Sequence, residues 1–272
     1  MKIILLKYGN SIKIESIYSF AVLQNLILKN KIMKKIFNLL CLVFILQACS
    51  SDDSNENNSN NNGVVLLQRL ERSNDVDIDY YKYNGTKLDY ISIGDESGQT
   101  WRQQFTYTGN LITKTEWFEN NQATGEKNIY TYLNNKLSEV RIYSPGAILE
   151  YIDNYTYNSD GTVDVITTGY NSSSGGFVKL FLDSNNNVIK KDYLGGYVEL
   201  FQYDNKNNPY KNITGLDKLY LFENIGYCGK NNITNDLSYN KTFSYQYNNQ
   251  NYPISCEILR PGQFPVVYTF YY

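Results

Sequence analysis

Four cysteines and no histidine limit what this 272-residue chain can do chemically. Without imidazole there is no Ser-His or Cys-His dyad and no histidine-ligated metal site. Neither a G-x-S-x-G elbow nor a phosphate-cradling glycine loop occurs. A pair of carboxylates can hydrolyse a glycosidic bond, and Glu116, Glu119, Glu199 and Glu257 are available for that. Their spacing does not show that any two converge, and the chain is expected not to be an enzyme.

The run "DVDIDY" (75–80) sets Asp75, Asp77 and Asp79 at alternate positions, as a calcium loop of the EF-hand type begins. Tyr80 and Thr86 then stand where such a loop needs Gly and Glu. A strand with the aspartates outward and Val76 and Ile78 inward accounts for the run better. No metal and no cofactor is expected. Trp101 and Trp117 are the only tryptophans. Exposed on a sheet, they would stack on sugar rings and are the candidate ligand contacts. Packed into a core, they would carry no such role.

The cysteines divide into two pairs. From Met33 the chain reads "MKKIFNLLCLVFILQACSSDDS". Lys34 and Lys35 precede the run Ile36 to Leu46, which is right for a signal sequence and too short to span a bilayer of about 30 Å. "LQAC", Leu46 to Cys49, resembles the bacterial lipobox, Leu-x-Ala/Gly-Cys. The resemblance implies that Cys49 takes a diacylglycerol and becomes the new N-terminus. It assigns residues 33–48 to a lipoprotein signal peptide that contains Cys41. Residues 1–32 read as an upstream extension of the true start. The polar segment 49–63 cannot form a core and reads as a disordered tether. Asp52 and Asp53 resemble the export signal of surface-exposed lipoproteins in Bacteroidetes, which implies an outer-membrane, cell-surface location. In that oxidising setting Cys228 and Cys256 are either a disulfide or two buried thiols. A disulfide would close a loop of about 28 residues and contribute roughly 3–4 kcal/mol.

Charge narrows the partners. Removing residues 1–48 takes seven lysines and Glu15 from 25 basic and 27 acidic residues, leaving 18 and 26, a net charge of about −8. An acidic chain without a basic run argues against nucleic acid. The membrane, through lipid on Cys49, and a glycan or protein ligand are the expected partners.

The elements that must position any site come from a repeat. "YKYNGTKLDYI" (81–91), "FTYTGNLITK" (105–114), "YTYLNNKLSEV" (130–140), "YTYNSDGTVDVI" (155–166), "LFLDSNNNVIK" (180–190), "FQYDNKNNPYKNI" (201–213) and "YQYNNQNYPISC" (245–256) share one order. Aligned on Tyr83, Tyr107, Tyr132, Tyr157, Leu182, Tyr203 and Tyr247, they are spaced 24, 25, 25, 25, 21 and 44 residues apart. In Tyr-x-Tyr both rings point to one face of a strand. Asn, Asp and Gly then supply turns near 84, 109, 134 and 160, and Leu88, Leu111, Leu137, Val163 or Val188 begins the return strand. Each unit is a β-hairpin of about 25 residues.

The pattern resembles the YD repeats of the Rhs and teneurin group, Tyr-x-Tyr-Asp-x-x-Gly-Asn/Arg-Leu-x-x-Ile. Tyr155, Tyr157, Gly161, Val163 and Ile166 follow that order, whereas the Asp after the second Tyr occurs only at Asp183 and Asp204. The resemblance covers about residues 80–260 and implies a strand-repeat fold. About seven units cannot enclose a cargo.

The expected fold is therefore all-β: residues 64–272 as one curved antiparallel meander of about seven hairpins. "VVLLQRLER" (64–72) and "VVYTFYY" (266–272) would be its two edges. Segment 213–241 breaks the rhythm. Leu216, Leu219, Tyr220 and Glu223 have helical spacing, which predicts a short helix ending near Gly226 and packed on the sheet. The expected function is that of a lipid-anchored, non-catalytic structural or interaction module. The alternative is a glycan-binding surface lipoprotein using exposed aromatics.

Overall fold

The computed structural model describes residues 63–74, 77–170, 173–219 and 229–272. The chain divides into a unit over Met1–Asn58 and one over Ser59–Tyr272, and every element below belongs to the second. The expected signal peptide, Cys49, most of the tether and Cys228 lie outside the described residues.

Sixteen strands follow one another: β1 (Arg69–Arg72), β2 (Asp79–Asn84), β3 (Lys87–Ile93), β4 (Trp101–Thr108), β5 (Leu111–Glu119), β6 (Gln122–Leu133), β7 (Lys136–Ser144), β8 (Ile148–Tyr157), β9 (Val163–Gly169), β10 (Gly176–Leu182), β11 (Val188–Tyr193), β12 (Val198–Tyr203), β13 (Ile233–Asp236), β14 (Lys241–Tyr247), β15 (Pro253–Leu259) and β16 (Val266–Tyr271). Each pairs antiparallel with the next, as expected of consecutive hairpins. The open meander is corrected: β16 returns to pair with β1, Leu70 opposite Phe270, and the sheet is a closed barrel. The two segments expected as edges are each other's partner. Free edges would leave a row of unpaired N–H and C=O groups, and closure removes both.

The expected turns are present. Gly85 and Gly109 take positive φ, and Asn134 and Asn135 have φ of 51° and 62°, the pair of left-handed residues that a type I′ hairpin requires. Along β2, β4, β6 and β8 the aromatic pairs Tyr81 and Tyr83, Phe105 and Tyr107, Tyr130 and Tyr132, and Tyr155 and Tyr157 face inward and pack on the core. Leu88, Ile112, Leu137, Val163 and Val188 are fully buried beside them. Ile112, not Leu111, takes the inward place, because it is the residue that pairs with Tyr107, while Leu111 pairs with Thr108.

The structure also shows why the second aromatic is usually Tyr rather than Phe. The Tyr132 hydroxyl donates to the Ile112 carbonyl (2.7 Å), Tyr203 to Val188 (2.8 Å), Tyr272 to Pro253 (2.9 Å) and Tyr83 to Leu67 (2.6 Å). Tyr107 accepts from the Leu88 amide at 3.1 Å. Most of these bonds reach from one unit to the start of the previous unit's return strand. Each is worth about 0.5–1.5 kcal/mol net and satisfies a backbone group at the edge of the core. Burial pushes the Tyr107 phenol up to about 12, so it stays protonated in this role.

The outer face is mixed, with Ile166, Leu200, Leu259 and Tyr271 exposed among charged side chains. Lys82, Arg102, Lys114, Lys127, Arg141, Lys179, Lys190 and Glu257 alternate with the inward residues of their strands. Outer-face pairs such as Lys179–Asp164 (2.8 Å) and Arg141–Glu139 (2.8 Å) are partly solvent-exposed and add little to stability.

"DVDIDY" also departs from expectation. Asp79 points inward, buried and paired with Arg72 at 2.5 Å, while Asp75 and Val76 lie outside the described residues. The register opposite Leu70 fixes its face, and the Arg72 guanidinium offsets the cost of burying the carboxylate.

Candidate functional site

The site grows out of one expanded turn. Asp183 closes a five-residue turn: its amide donates to the Asn187 carbonyl (2.9 Å) and its Oδ1 accepts from the Asn187 amide (2.9 Å). Asn248 does the same with Tyr252. Asp204 makes the same two bonds, at 3.0 Å each, to Asn232. Residues 205–231 are thus an insertion between the two ends of a repeat turn.

A set of asparagines anchors the insertion. The buried Asn187 donates through Nδ2 to Asp183 Oδ2 (2.8 Å) and Asn231 Oδ1 (3.0 Å), and its Oδ1 accepts from the Lys230 amide (3.0 Å). Gly229, at φ 103°, passes so close that an added Cβ would lie 2.4 Å from Asn187 Oδ1. The segment then crosses the turn end of the barrel. Tyr210 meets the Tyr81 ring at 6.1 Å, and the Thr214 amide donates to the Thr86 carbonyl at 2.9 Å. Tyr210, Ile213, Leu216 and Leu219 are buried in the same core as the inward strand residues.

The expected packing of Leu216 and Leu219 is therefore present, but the described part of the expected helix, up to Leu219, holds one 3-10 turn, Leu216–Lys218. Gly215 enters it with φ 83°, outside the helical region, and Leu219 leaves it extended. One isolated turn does not recover the entropy of nucleating a helix. Tyr220, Phe222, Glu223 and Gly226 lie outside the described residues.

Between this cap and the hairpin turns a cleft of about 230 Å³ remains. Asn135 and Lys136 come from the β6–β7 turn, Asn158 and Thr162 from β8–β9, Asn186 from β10–β11, and Asp217 and Lys218 from the cap. Tyr157, Leu137, Val163 and Leu182 form its apolar floor. The Lys136 ammonium lies 4.7 Å from the Tyr157 ring centroid, and Lys218 pairs with Asp217 at 3.0 Å. Among the described residues Asp217 is the only carboxylate in the lining. Its chemistry is hydrogen bonding over an apolar base.

A second cluster lies on the inner face toward the opposite end. Lys191 pairs with Glu199 at 3.5 Å, and Tyr193 donates to Glu199 at 3.2 Å. Lys241 lies 3.5 Å from Asp236. Burial lowers the Lys191 pKa, against the pull of Glu199. The half-buried Asp153, also inward, accepts from Thr167 at 2.6 Å, and burial holds its pKa above the usual carboxylate range. The folded state therefore favours the protonated form. Its ionised form weakens folding as pH rises from the unfolded value through the raised one. Asp153→Asn should raise the melting temperature at about pH 7, and the gain should vanish below the unfolded carboxylate pKa of about 4. Melting curves across that range check this, and an equal gain at every pH would refute it.

The sequence-derived candidates are scattered. Trp101 and Trp117 share the inner face with Phe105, half-buried, at the end of β4 and β5 away from the cap, and do not line the cleft. Glu116 and Glu257 face outward, Glu119 sits at an exposed turn and Glu199 faces inward. Cys256 is a fully buried thiol, raised to about 12 mainly by burial. Its candidate partner Cys228 is outside the described residues. The cleft itself was not foreseen, since its lining comes from three hairpin turns and the cap, distant in sequence. The signal that pointed nearest to it was the break in the repeat period after Tyr203.

No protein-family model matches the chain, and no curated protein matches it. Among solved structures it is similar to a porin-like protein from Bacteroides vulgatus, at 13% identity and a TM-score of 0.46, over 77% of this chain and 99% of that one. A porin-like protein from Bacteroides uniformis aligns at 11% identity and a TM-score of 0.35, over 72% and 76%. The structure titled TcdB2-TccC3-TEV aligns at 16% identity and a TM-score of 0.28, over 70% of this chain and 8% of that one.

Proposed function

We propose that this chain is a lipid-anchored protein of the outer-membrane surface, and that its barrel is a non-catalytic interaction module of YD-like repeats standing in water. The alternation of the strands carries this reading. A barrel that spans a bilayer turns an apolar band about 25 Å tall outward and keeps its polar residues inside. Here the inner face is chiefly aromatic and aliphatic, and Lys82, Arg102, Arg141, Lys179 and Lys190 point outward, interspersed with the exposed Ile166, Leu200 and Leu259. A lysine or arginine on the lipid face at mid-bilayer costs about 2–4 kcal/mol, so a ring of them opposes insertion. The insertion and the buried Leu66 and Leu67 also fill the turn end of the lumen, which disfavours a pore. The membrane link is then the lipid on Cys49, and the partner is a glycan or a protein.

Metabolic labelling with a palmitate analogue tests the anchor. The wild-type chain should label and float with outer membranes, and Cys49→Ser should lose both properties. Labelling that persists in Cys49→Ser, or a wild-type barrel that stays in membranes after alkaline carbonate extraction once the tether is cut, would sink the proposal. Protease added to intact cells should remove the barrel if it faces outward.

A further inference from the structure

We infer that the cleft beneath the cap is a binding site for a single ring of a neutral carbohydrate chain. This rests on the interaction-module reading and names its ligand class. Size comes first. At about 230 Å³ the cleft is smaller than the roughly 300–1,000 Å³ of sites that enclose drug-sized ligands. It suits one small ring whose neighbours lie outside.

Chemistry comes second. The exposed side chains of Asn135 and Asn186 make no hydrogen bond within the described protein, and both residues are fixed at positive φ, 62° in each case. Each side-chain amide offers two donors and an acceptor, which matches hydroxyls that both give and take a proton. Leu182 and the Tyr157 ring give an apolar floor for the C–H face of a sugar ring, which would take the place of the exposed Lys136 ammonium now 4.7 Å from the Tyr157 centroid.

Charge singles out no ionic ligand: Asp217 is already paired with Lys218 at 3.0 Å, and Lys136 is a lone exposed cation. An apolar ligand would leave the amides desolvated and unpaired, at about 1–3 kcal/mol each.

The test uses the barrel domain, residues 64–272, as purified, with binding followed by titration calorimetry and ligand-observed NMR. The probes are the neutral trisaccharides of glucose, mannose, xylose and N-acetylglucosamine, with trigalacturonate as the anionic control. At least one neutral trisaccharide should bind, and trigalacturonate more weakly. Because Asn135 and Asn186 are exposed at positive φ, which glycine also adopts, the double variant Asn135→Gly/Asn186→Gly keeps its turns, checked by its melting curve, and should weaken binding at least ten-fold. Trp117→Ala, at the opposite end, should leave binding unchanged. Binding of none of the neutral probes would overturn the inference. So would tighter binding of trigalacturonate, or a loss with Trp117→Ala but not with the double variant. Each of these outcomes leaves the Cys49 labelling result untouched, so failure of the cleft is separable from failure of the anchor. Release of shorter sugars during the titration would instead overturn the non-catalytic reading.

Discussion

Removing residues 266–272 should abolish cooperative folding. β16 is one strand among sixteen, yet it carries both seams of the closure, with four register pairs to β15 and four to β1. Its loss would free the edges of β1 and β15 and uncover the buried Leu70, Cys256 and Ile258. Phe270, buried at 3% exposure, would be lost as well. A Phe→Ala change in a core costs about 3–5 kcal/mol, and whole domains are stable by only about 5–15 kcal/mol. Seven residues that include Phe270, Tyr268 and two ladders exceed what such a margin tolerates. The truncated chain should show no sigmoidal thermal transition by circular dichroism and should be degraded rapidly by protease. Phe270→Ala alone should keep a cooperative transition at a lower midpoint. A truncated chain that melts like the full domain would mean that the sheet does not depend on closure.

Replacing residues 205–231 with the three residues that join Asp183 to Asn187 should leave the wall formed but its turn end uncovered. The exchange removes Tyr210, Ile213, Leu216 and Leu219, all buried. Each such side chain contributes about 1.5–3 kcal/mol on burial, so the gross loss is roughly 6–12 kcal/mol, partly offset by the shorter loop. The melting midpoint should fall by at least about 10 °C, and an apolar dye should bind at the exposed Leu67, Leu88 and Ile112. An unchanged midpoint with no dye binding would show that the insertion is an ornament rather than part of the core.

Much of this wall was legible in the sequence, because local physics writes it there. Tyr-x-Tyr before an Asn or Gly turn fixes strand, face and hairpin together, and Asn134-Asn135 and Asp160-Gly161 turn where expected. Closure was not legible. Leu70 and Phe270 read identically on a free edge or on a seam, since strand patterning records which face is buried and not which strand lies alongside. The register that sets Ile112 rather than Leu111 opposite Tyr107 is equally silent, as a one-residue slip changes no composition. The helical spacing of Leu216 and Leu219 was genuine as a burial signal and misleading as a helix signal, because two apolar residues three apart also fit a lone turn beside Gly215. The cleft needed the closed fold before its lining existed.

The way Asp204 and Asn232 hold the ends of the insertion has an evolutionary consequence. Those ends keep the hydrogen bonds of the short turns at 183–187 and 248–252. The neighbouring strands therefore register the segment between them no differently from three residues. Each such turn is a port at which sequence can be grafted, lengthened or exchanged without shifting a strand. A lineage could change what the mouth of this barrel recognises by trading cassettes at these ports while the tyrosine-lined staves stay constant. An engineer could use the turn at 248–252 in the same way.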